Sequence, residues 1–295
     1  MTFEQLSIFV AVAQREHLTK AAAAIGLTPS AVSAAIKALE SFYNVELFHR
    51  VGRRIELTQA GRNFLGEAEA VLARARSAAL VLSELGGLRR GTLNIYASQT
   101  ISSYWLPPRL MRFHETYPGI EICLTVGNTR TVSQAVIDGL ADLGFVEGEI
   151  DEPVLASHRV AVDAMVVVVP PGHPLADTKG ITADDLLTKA RWVMREPGSG
   201  TRSTFETTLT ASGCDPSRLD IAMVLPSNEA VLSAVAESMC AAAVSSIIVR
   251  QRVQQRELMT VDFKLPDRAF LSLRHKERHQ SDAVRKLLEI CMSGN

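Results

Sequence analysis

Residues 195–202, Arg-Glu-Pro-Gly-Ser-Gly-Thr-Arg, gather two glycines, two hydroxyls and two arginines in one short stretch. Gly198 and Gly200 let backbone N–H groups curve around a guest, Ser199 and Thr201 add donors, and Arg202 supplies charge, which together would suit a small anion. Arg202 has a competing role in an ion pair with Glu196 or Glu206, the commoner use of a helical arginine. Three other clusters share this character: Ser98, Gln99 and Thr100; Asn128 and Thr129; Ser227 and Asn228. Each follows a strand-like apolar run and precedes a helical pattern. In open α/β sheets ligands sit beyond the carboxyl ends of strands, where helix N-termini present unpaired N–H groups and a positive dipole end. Any one of these residues serves equally well as a helix cap. It is the convergence of four such clusters that points to an anion.

A second set of residues suits a different partner. "LTPSAVSAAIKALE", Leu27 to Glu40, opens on Thr28, an N-cap residue, with Pro29 at the first helical position, where its missing N–H costs nothing. Val32, Ile36 and Leu39 recur on one face and should pack inward, which leaves Ser30, Ser33, Ala34 and Lys37 outward. Small outward residues let a helix lie deep in the DNA major groove. There Ser hydrogen-bonds base edges, Ala meets a thymine methyl, and Lys37 reaches base or phosphate. The competing role is an alanine-rich helix packed in a bundle. "HRVGRR" follows, placing Arg50, Arg53 and Arg54 about a glycine turn between the apolar stretches 45–48 and 55–57, as in a small hairpin with a cationic tip.

The elements that must position these residues are legible around them. Thr2 with Gln5 forms a capping box for a first helix whose apolar face is Phe3, Leu6, Phe9, Val10 and Ala13. Thr19 is the expected cap of a second helix, which Gly26 ends. Helix, glycine turn, capped helix and basic hairpin make a winged helix-turn-helix, all-α with a small β wing. Beyond Gly61, Phe64, Ala68, Val71, Ala75, Ala78, Leu82 and Leu85 alternate steps of four and three, the stripe of a helix that pairs with a partner helix. The competing role is a surface helix packed on its own domain. From Thr92 onward strand-like and helix-like runs alternate, the signature of a parallel sheet flanked by helices. "TLNIYAS", "IEICLTV" and "DLGFV" form one series. "AMVVVVP", "RWVMRE", "DIAMVL" and "AAAVSS" form a second, and "FLSLRH" with a helix over 281–292 closes the chain.

The stretch "FVAVAQREHLTKAAAAIGLTPSAVSAAIKALESFYNVELFHRVGRRIELTQAG" resembles the DNA-binding end of the LysR-type bacterial transcription regulators over about sixty positions. Pro29, Ala34 and Ala35 depart from the polar residues common in that family. "REPGSGTR", "YASQTI" and "DLGFVEG" resemble the branch that includes regulators of sulfur assimilation and carbon fixation, and on that likeness Glu147 joins the effector residues. The resemblance implies a DNA-binding domain over 1–58, a linker and dimerisation helix with hinge over 59–90, and an effector domain over 91–295. That domain would have two Rossmann-like lobes, as in periplasmic binding proteins: lobe I from 91–161 and 268–295, lobe II from 162–267. The crossings fall near 160–162 and 267–269. The implied partners are double-stranded DNA, a small anionic effector and the chain itself, as a homodimer that pairs into a homotetramer.

Charge agrees with that division. Residues 1–91 carry 11 Lys/Arg against 8 Asp/Glu, whereas the remainder carries an acidic excess, so the near-neutral whole conceals a basic N-terminal end. No apolar run reaches the length of a membrane span, and the N-terminus lacks the features of a signal peptide, so a cytoplasmic protein without membrane contact is expected. Cys123, Cys214, Cys240 and Cys291 form no C-x-x-C pair and are expected to be reduced thiols. "PGSGT" departs from the nucleophile elbow at Pro197, "GSGTRS" fails G-x-G-x-x-G at its last position, and no P-loop occurs. His275 and His279 lack a third ligand nearby. A non-enzymatic regulator without metal or resident cofactor is therefore expected, with a small-molecule co-inducer. Branch resemblance makes that co-inducer a sulfur oxyanion such as sulfite or sulfate. The competing guest is a small carboxylate metabolite with Ile101 and Trp105 as its apolar wall. The competing class is a cytoplasmic solute-binding module with no role on DNA.

Overall fold

The computed structural model describes residues 1–51, 54–85, 91–148 and 150–293. They form two units, the first comprising residues 1–82 and the second beginning at residue 83.

In the first unit, α1 (Phe3–Ala13) starts on the expected capping box. Thr2 Oγ1 accepts the Gln5 N–H at 3.1 Å and Gln5 Oε1 accepts the Thr2 N–H at 2.9 Å. Its inward surface is broader than one stripe, with Leu6, Ile8, Phe9, Ala11, Val12 and Ala13 buried and Phe3 62 % exposed. A short helix wrapped on several sides buries more than its amphipathic period shows. Helix α2 (Leu18–Ala24) is capped two residues earlier than expected: His17 Nδ1 accepts the Lys20 N–H at 3.4 Å, and Thr19 lies inside the helix. Glu16, in the left-handed region at φ 46°, turns the chain ahead of His17 and so moves the start forward. Gly26 supplies φ 68° after the helix. Helix α3 (Pro29–Tyr43) begins as expected, with Thr28 Oγ1 accepting the Ala31 N–H at 3.2 Å, and ends at left-handed Asn44.

Strands β1 (Phe48–Val51) and β2 (Arg54–Leu57) pair antiparallel, with Phe48 opposite Leu57. The first strand starts later than the apolar stretch 45–48 suggests. Glu40 explains the shift: its Oε1 accepts the N–H groups of Leu47 and Phe48 at 2.8 and 3.1 Å, holding residues before the strand against α3. Val32, Ile36 and Leu39 meet Leu6, Phe9, Val12, Ala21 and Ala22 in a single core. Helix α4 (Gln59–Leu85) contributes to that core too, with Ala68 fully buried and the Phe64 ring 4.9 Å from that of Phe9.

In the second unit, β3 (Gly91–Ser98) leads through a π-helical turn (Ile101–Trp105) into α5 (Pro107–Thr116). Then follow β4 (Ile120–Gly127), α6 (Thr129–Asp138), β5 (Leu143–Glu147) and β6 (Leu155–Asp163). A second series comprises β7 (Met165–Val169), α7 (Ala183–Thr188), β8 (Arg191–Arg195), α8 (Gly200–Ala211), β9 (Asp220–Leu225), α9 (Asn228–Ala236), β10 (Cys240–Ser245), α10 (Ser246–Gln254) and β11 (Met259–Thr260). The chain closes with β12 (Arg268–His275) and α11 (Asp282–Met292). One sheet has the order β4-β3-β5-β12-β6 and the other β11-β7-β10-β8-β9.

The sheets are mixed rather than parallel. The triplets β4-β3-β5 and β9-β8-β10 run parallel, as helical crossovers require, whereas β12, β6, β7 and β11 are antiparallel to their neighbours. Alternation of strand and helix exposes the triplets in the sequence. The antiparallel strands enter from the two passages between sheets, and no local pattern records that pairing. The first passage follows Asp163, a little later than expected, and the second precedes Arg268. Each sheet has its own apolar core, built on Leu93, Ile95, Phe113, Phe145 and Phe270 in the first and on Val167, Trp192, Phe205 and Ala241 in the second.

Candidate effector cleft and DNA-facing helix

On α3 the sequence-derived face is largely free: Thr28, Pro29, Ser30, Ala34 and Lys37 are exposed and Ser33 is half-buried. Thr28 Oγ1 stands 3.0 Å from Ser30 Oγ, so the cap hydroxyl also steadies the first outward serine. Of the wing, Arg53 lies outside the described residues, as do the side chains of Arg50 and Arg54. The stripe on α4 divides. Phe64 and Ala68 turn onto the core of their own unit, which corrects their placement in a pairing seam, because a helix that leaves a small domain must first cover its core. Val71 and Ala78 are exposed, Ala75 is half-buried and Leu82 is 70 % exposed. The side chain of Leu85 and the hinge 86–90 lie outside the described residues.

The four polar clusters of the second unit converge where the two sheets face one another. At the ends of β3 and β9, Gln99 Oε1 accepts the Asn228 N–H at 2.7 Å and Gln99 Nε2 donates to Glu229 at 2.6 Å. Asn228, with no exposed surface, donates from Nδ2 to Thr100 Oγ1 at 3.1 Å and accepts from Arg195 Nη1 at 2.6 Å. Tyr104 donates to Glu229 at 3.2 Å, and burial, reinforced by that carboxylate, pushes its phenol above the ordinary value. A second connection joins Asn128 Nδ2 to Glu196 Oε1 at 3.1 Å, while Arg195 holds both oxygens of Glu196 at 2.8 and 3.0 Å. Burial alone would raise the Glu196 pKa, but the bonds from Arg195 and Asn128 outweigh it and hold the carboxyl below its usual range.

Between these connections lies a buried charged group that the sequence did not announce. Arg268 at the start of β12 is 4 % exposed, donates from Nε to Asp163 at 2.8 Å, and donates from Nη1 to Thr201 Oγ1 at 3.1 Å. Its Nη2 is 2.8 Å from the same Asp163 oxygen and 3.8 Å from Glu147 Oε1, yet it makes no aligned hydrogen bond. Ser245 donates to the other Asp163 oxygen at 2.5 Å. Burial pushes the Asp163 pKa up, with Arg268 and Ser245 opposing it. Ser98 Oγ, also buried, has no partner among the described residues.

Beside this group opens a cavity of about 770 Å³, walled by Thr129, Glu147, Gly198 and Gly200 from the expected set, and by Arg130, Ser203, Thr204, Asp267 and Arg268. The glycines have reasons to be glycine. Gly198 has φ +94°, and a Cβ on Gly200 would stand 2.6 Å from the Glu147 carbonyl oxygen and 2.7 Å from Thr129 Oγ1. Ser98, Thr100, Ser199, Thr201 and Asn228 are buried in the same region.

Three expectations are revised. Arg202 turns away, donating from Nε to Glu206 at 2.7 Å and from Nη1 to the Arg195 carbonyl at 3.2 Å, so the ion pair claims it. Ser227 accepts the Ala230 N–H at 3.1 Å as the cap of α9. Ile101 and Trp105 belong to the core of the first sheet, where Trp105 packs on Phe145 and Phe270, and they offer no wall to a guest. Arg195 and Arg268 were missed because each sits at the end of an apolar strand, where an arginine reads as a solvated terminus. An arginine flanking a β-rich run at a sheet-to-sheet passage is the signal that would have found Arg268, and one at a strand-to-helix junction the signal for Arg195.

Among the described residues no group of His, Cys, Asp and Glu suits a metal ion, and no single helix is long and apolar enough to cross a membrane. Among the described residues no cysteine forms a disulfide, and burial pushes the Cys291 thiol up to about 12.

A helix-turn-helix with a β wing, followed by a two-lobed α/β domain, is the architecture of a ligand-responsive regulator. The pattern described as "Bacterial regulatory helix-turn-helix protein, lysR family" matches residues 3–62, and that of the "LysR substrate binding domain" matches residues 86–294. The chain belongs to the LysR family of DNA-binding transcriptional regulators. It is 34 % identical to the uncharacterized HTH-type transcriptional regulator YeiE of Escherichia coli K12, over all of this chain and 98 % of that one. To the HTH-type transcriptional regulator CysL of Bacillus subtilis it is 32 % identical, over 88 % of this chain and 85 % of the relative. Full-length CbnR in complex with its target DNA has the same fold, with a TM-score of 0.73 at 20 % identity, covering both chains completely.

Proposed function

We propose that this regulator senses a small oxyanion in the cleft between its two sheets, and that the anion alters how a self-associated form addresses DNA. The observation that carries this reading is Arg268: a buried guanidinium on the cavity wall with one N–H-bearing nitrogen outside any aligned hydrogen bond. Although Nη2 is ion-paired with Asp163, a buried N–H without an aligned acceptor costs free energy that a bound acceptor restores. The N-terminus of α8, with Gly198 to Gly200 against the cavity, adds backbone N–H groups and a positive dipole end. The resemblance of "REPGSGTR", "YASQTI" and "DLGFVEG" to the branch that includes regulators of sulfur assimilation favours a sulfur oxyanion, sulfite or sulfate, as co-inducer. A small carboxylate loses the apolar wall that Ile101 and Trp105 were to provide. A thermal-shift panel of sulfite, sulfate, thiosulfate, phosphate and small carboxylates tests the reading, because a ligand selective for the folded state raises apparent stability by RT ln(1 + [L]/Kd). No shift with any oxyanion at millimolar concentration would overturn it.

On DNA, α3 is the recognition helix, with Ser30, Ser33, Ala34 and Lys37 toward base edges and Arg50, Arg53 and Arg54 of the wing on phosphates. Steep weakening of a gel shift with salt is the expected signature of those phosphate contacts. The exposed part of the α4 stripe, Val71, Ala75, Ala78 and Leu82, pairs two chains, so that two recognition helices read a site with dyad symmetry, and the effector domains pair dimers into a tetramer. Leu82→Asp should lower the mass in solution by light scattering. A variant that keeps the parent mass removes Leu82 from the seam.

A further inference from the structure

The cavity wall carries a feature that a simple anion site would avoid. Glu147, at the end of β5, is 3 % exposed and lines the cavity. No side-chain hydrogen bond reaches its carboxylate among the described residues, and its nearest cation is Arg268 Nη2 at 3.8 Å. Asp163 already pairs with Arg268 through Nε at 2.8 Å. The buried group is thus two carboxylates on one guanidinium, with Glu147 the acceptor in surplus. The remaining charges at this cavity, Arg130 against Asp151, Glu152 and Asp267, are exposed and screened by water.

Resting on the oxyanion reading above, we propose that Glu147 selects oxyanions that still carry a proton near neutral pH, and disfavours those that carry none. Arg268 Nη2 donates to the guest. A carboxylate, by contrast, has acceptors only, so whatever faces Glu147 must donate. Hydrogensulfite and hydrogenphosphate have such a donor, and the pair O–H···O⁻ is a charge-assisted bond. Sulfate has none at this pH and would set two anions together in a site of low dielectric, where like charges repel strongly. The shared chemistry is a tetrahedral or pyramidal oxyanion that keeps at least one O–H near neutral pH, whether it comes from sulfite or from phosphate.

Calorimetry of the full-length protein with sodium sulfite, sodium phosphate and sodium sulfate tests this directly. At about pH 6.5 sulfite or phosphate should bind at least about tenfold more tightly than sulfate, a difference of roughly 1.4 kcal/mol. Affinity for sulfite should fall as pH rises and hydrogensulfite loses its only proton, whereas phosphate, which keeps an O–H as hydrogenphosphate, should retain its advantage over sulfate. Sulfate supplies the control, because its pH dependence reports only the protein groups facing the guest: Glu147, Asp163, Arg268, Arg130, Asp151, Glu152 and Asp267. In Glu147→Gln the amide offers donors as well as an acceptor, so the preference should shrink to within about threefold. Should the variant fail to fold by circular dichroism, the pH arm on the unaltered protein decides alone. Equal affinity for sulfite, phosphate and sulfate in the unaltered protein, a preference that survives Glu147→Gln, or a pH dependence of sulfite binding identical to that of sulfate would overturn the role of Glu147 while leaving the oxyanion site standing. Binding of none of the three would overturn both.

Discussion

Helix α3, the proposed recognition helix, and the cleft between the sheets both present polar groups, but they come to do so by opposite routes. On α3 the core claims Val32, Ile36 and Leu39, and what remains is a free surface whose side chains, apart from the Thr28–Ser30 contact, owe nothing to distant residues. In the cleft almost every polar group is already spoken for by a residue far along the chain. Thr100 is bound to Asn228, Asn128 to Glu196, and Thr201 to Arg268. A surface site can therefore be altered without touching stability, whereas a cleft built from buried bonds ties its specificity to the fold. Few groups in the cleft keep spare hydrogen-bonding capacity: Ser98 Oγ, Arg268 Nη2 and the Glu147 carboxylate, the last two of which line the proposed oxyanion site.

The sharpest test of that contrast is Arg268→Ala. Removing this guanidinium leaves Asp163 buried with only the Ser245 hydroxyl, and an uncompensated buried charge costs about 3–5 kcal/mol, measurable by urea denaturation near neutral pH. The pH dependence has a defined sign. The folded-state pKa of Asp163 is raised, so between the ordinary carboxylate range and that raised value the folded protein binds the extra proton. The stability this contributes is fully present below the ordinary range and lost as pH rises through the raised value. Without Arg268, which opposes the rise, the pKa goes higher still, and the deficit of the variant should shrink on acidification. A deficit that grows toward acid pH would contradict the arrangement.

On α3 the expected result is reversed. Lys37→Ala and Ser33→Ala should leave the denaturation midpoint within experimental error while changing DNA binding by about 1–3 kcal/mol, a contact to a base altering which sequence is preferred. A loss of stability rather than of sequence preference would show that this face is packed after all. Thr28→Ala probes where the two routes meet, because the cap is both structural and on the DNA side. Loss of the bond to the Ala31 N–H should cost about 1 kcal/mol of stability. The smallest effect is expected of Arg202→Ala. Its ion pair with Glu206 is partly exposed, so about 0–1 kcal/mol is lost and oxyanion affinity stays unchanged. A large drop in anion binding would return Arg202 to the cleft.

How much of each site was legible follows from the same contrast. The α3 face and its cap could be read from spacing because a helix fixes which residues share a face within its own few turns. The hydroxyl clusters after β3, β4, β8 and β9 were legible because strand-to-helix junctions have a local signature, and most of their residues do meet at the cleft. Arg202 and Ser227 were claimed by nearby partners, Glu206 and the N-terminus of α9, so type and position were right and orientation was not. Trp105, which follows the Ser98–Thr100 cluster and would wall a competing carboxylate guest, is instead enclosed by Phe145 and Phe270 from two other strands.

The sequence by itself determined the winged helix-turn-helix, the helical stripe that follows it, and the alternating strands and helices of two lobes. All of these are set by periodicity, caps and turns acting over a few residues. Only the tertiary structure decided that both sheets are mixed, that Phe64 and Ala68 close a core, and that Asp163, Thr201, Ser245 and Arg268 meet in one buried group beside Glu147. Such pairings join residues far apart in the chain, as the 105 positions between Asp163 and Arg268 show, and their free energy arises from desolvation and hydrogen-bond geometry in a shared interior. No short window of sequence contains both partners.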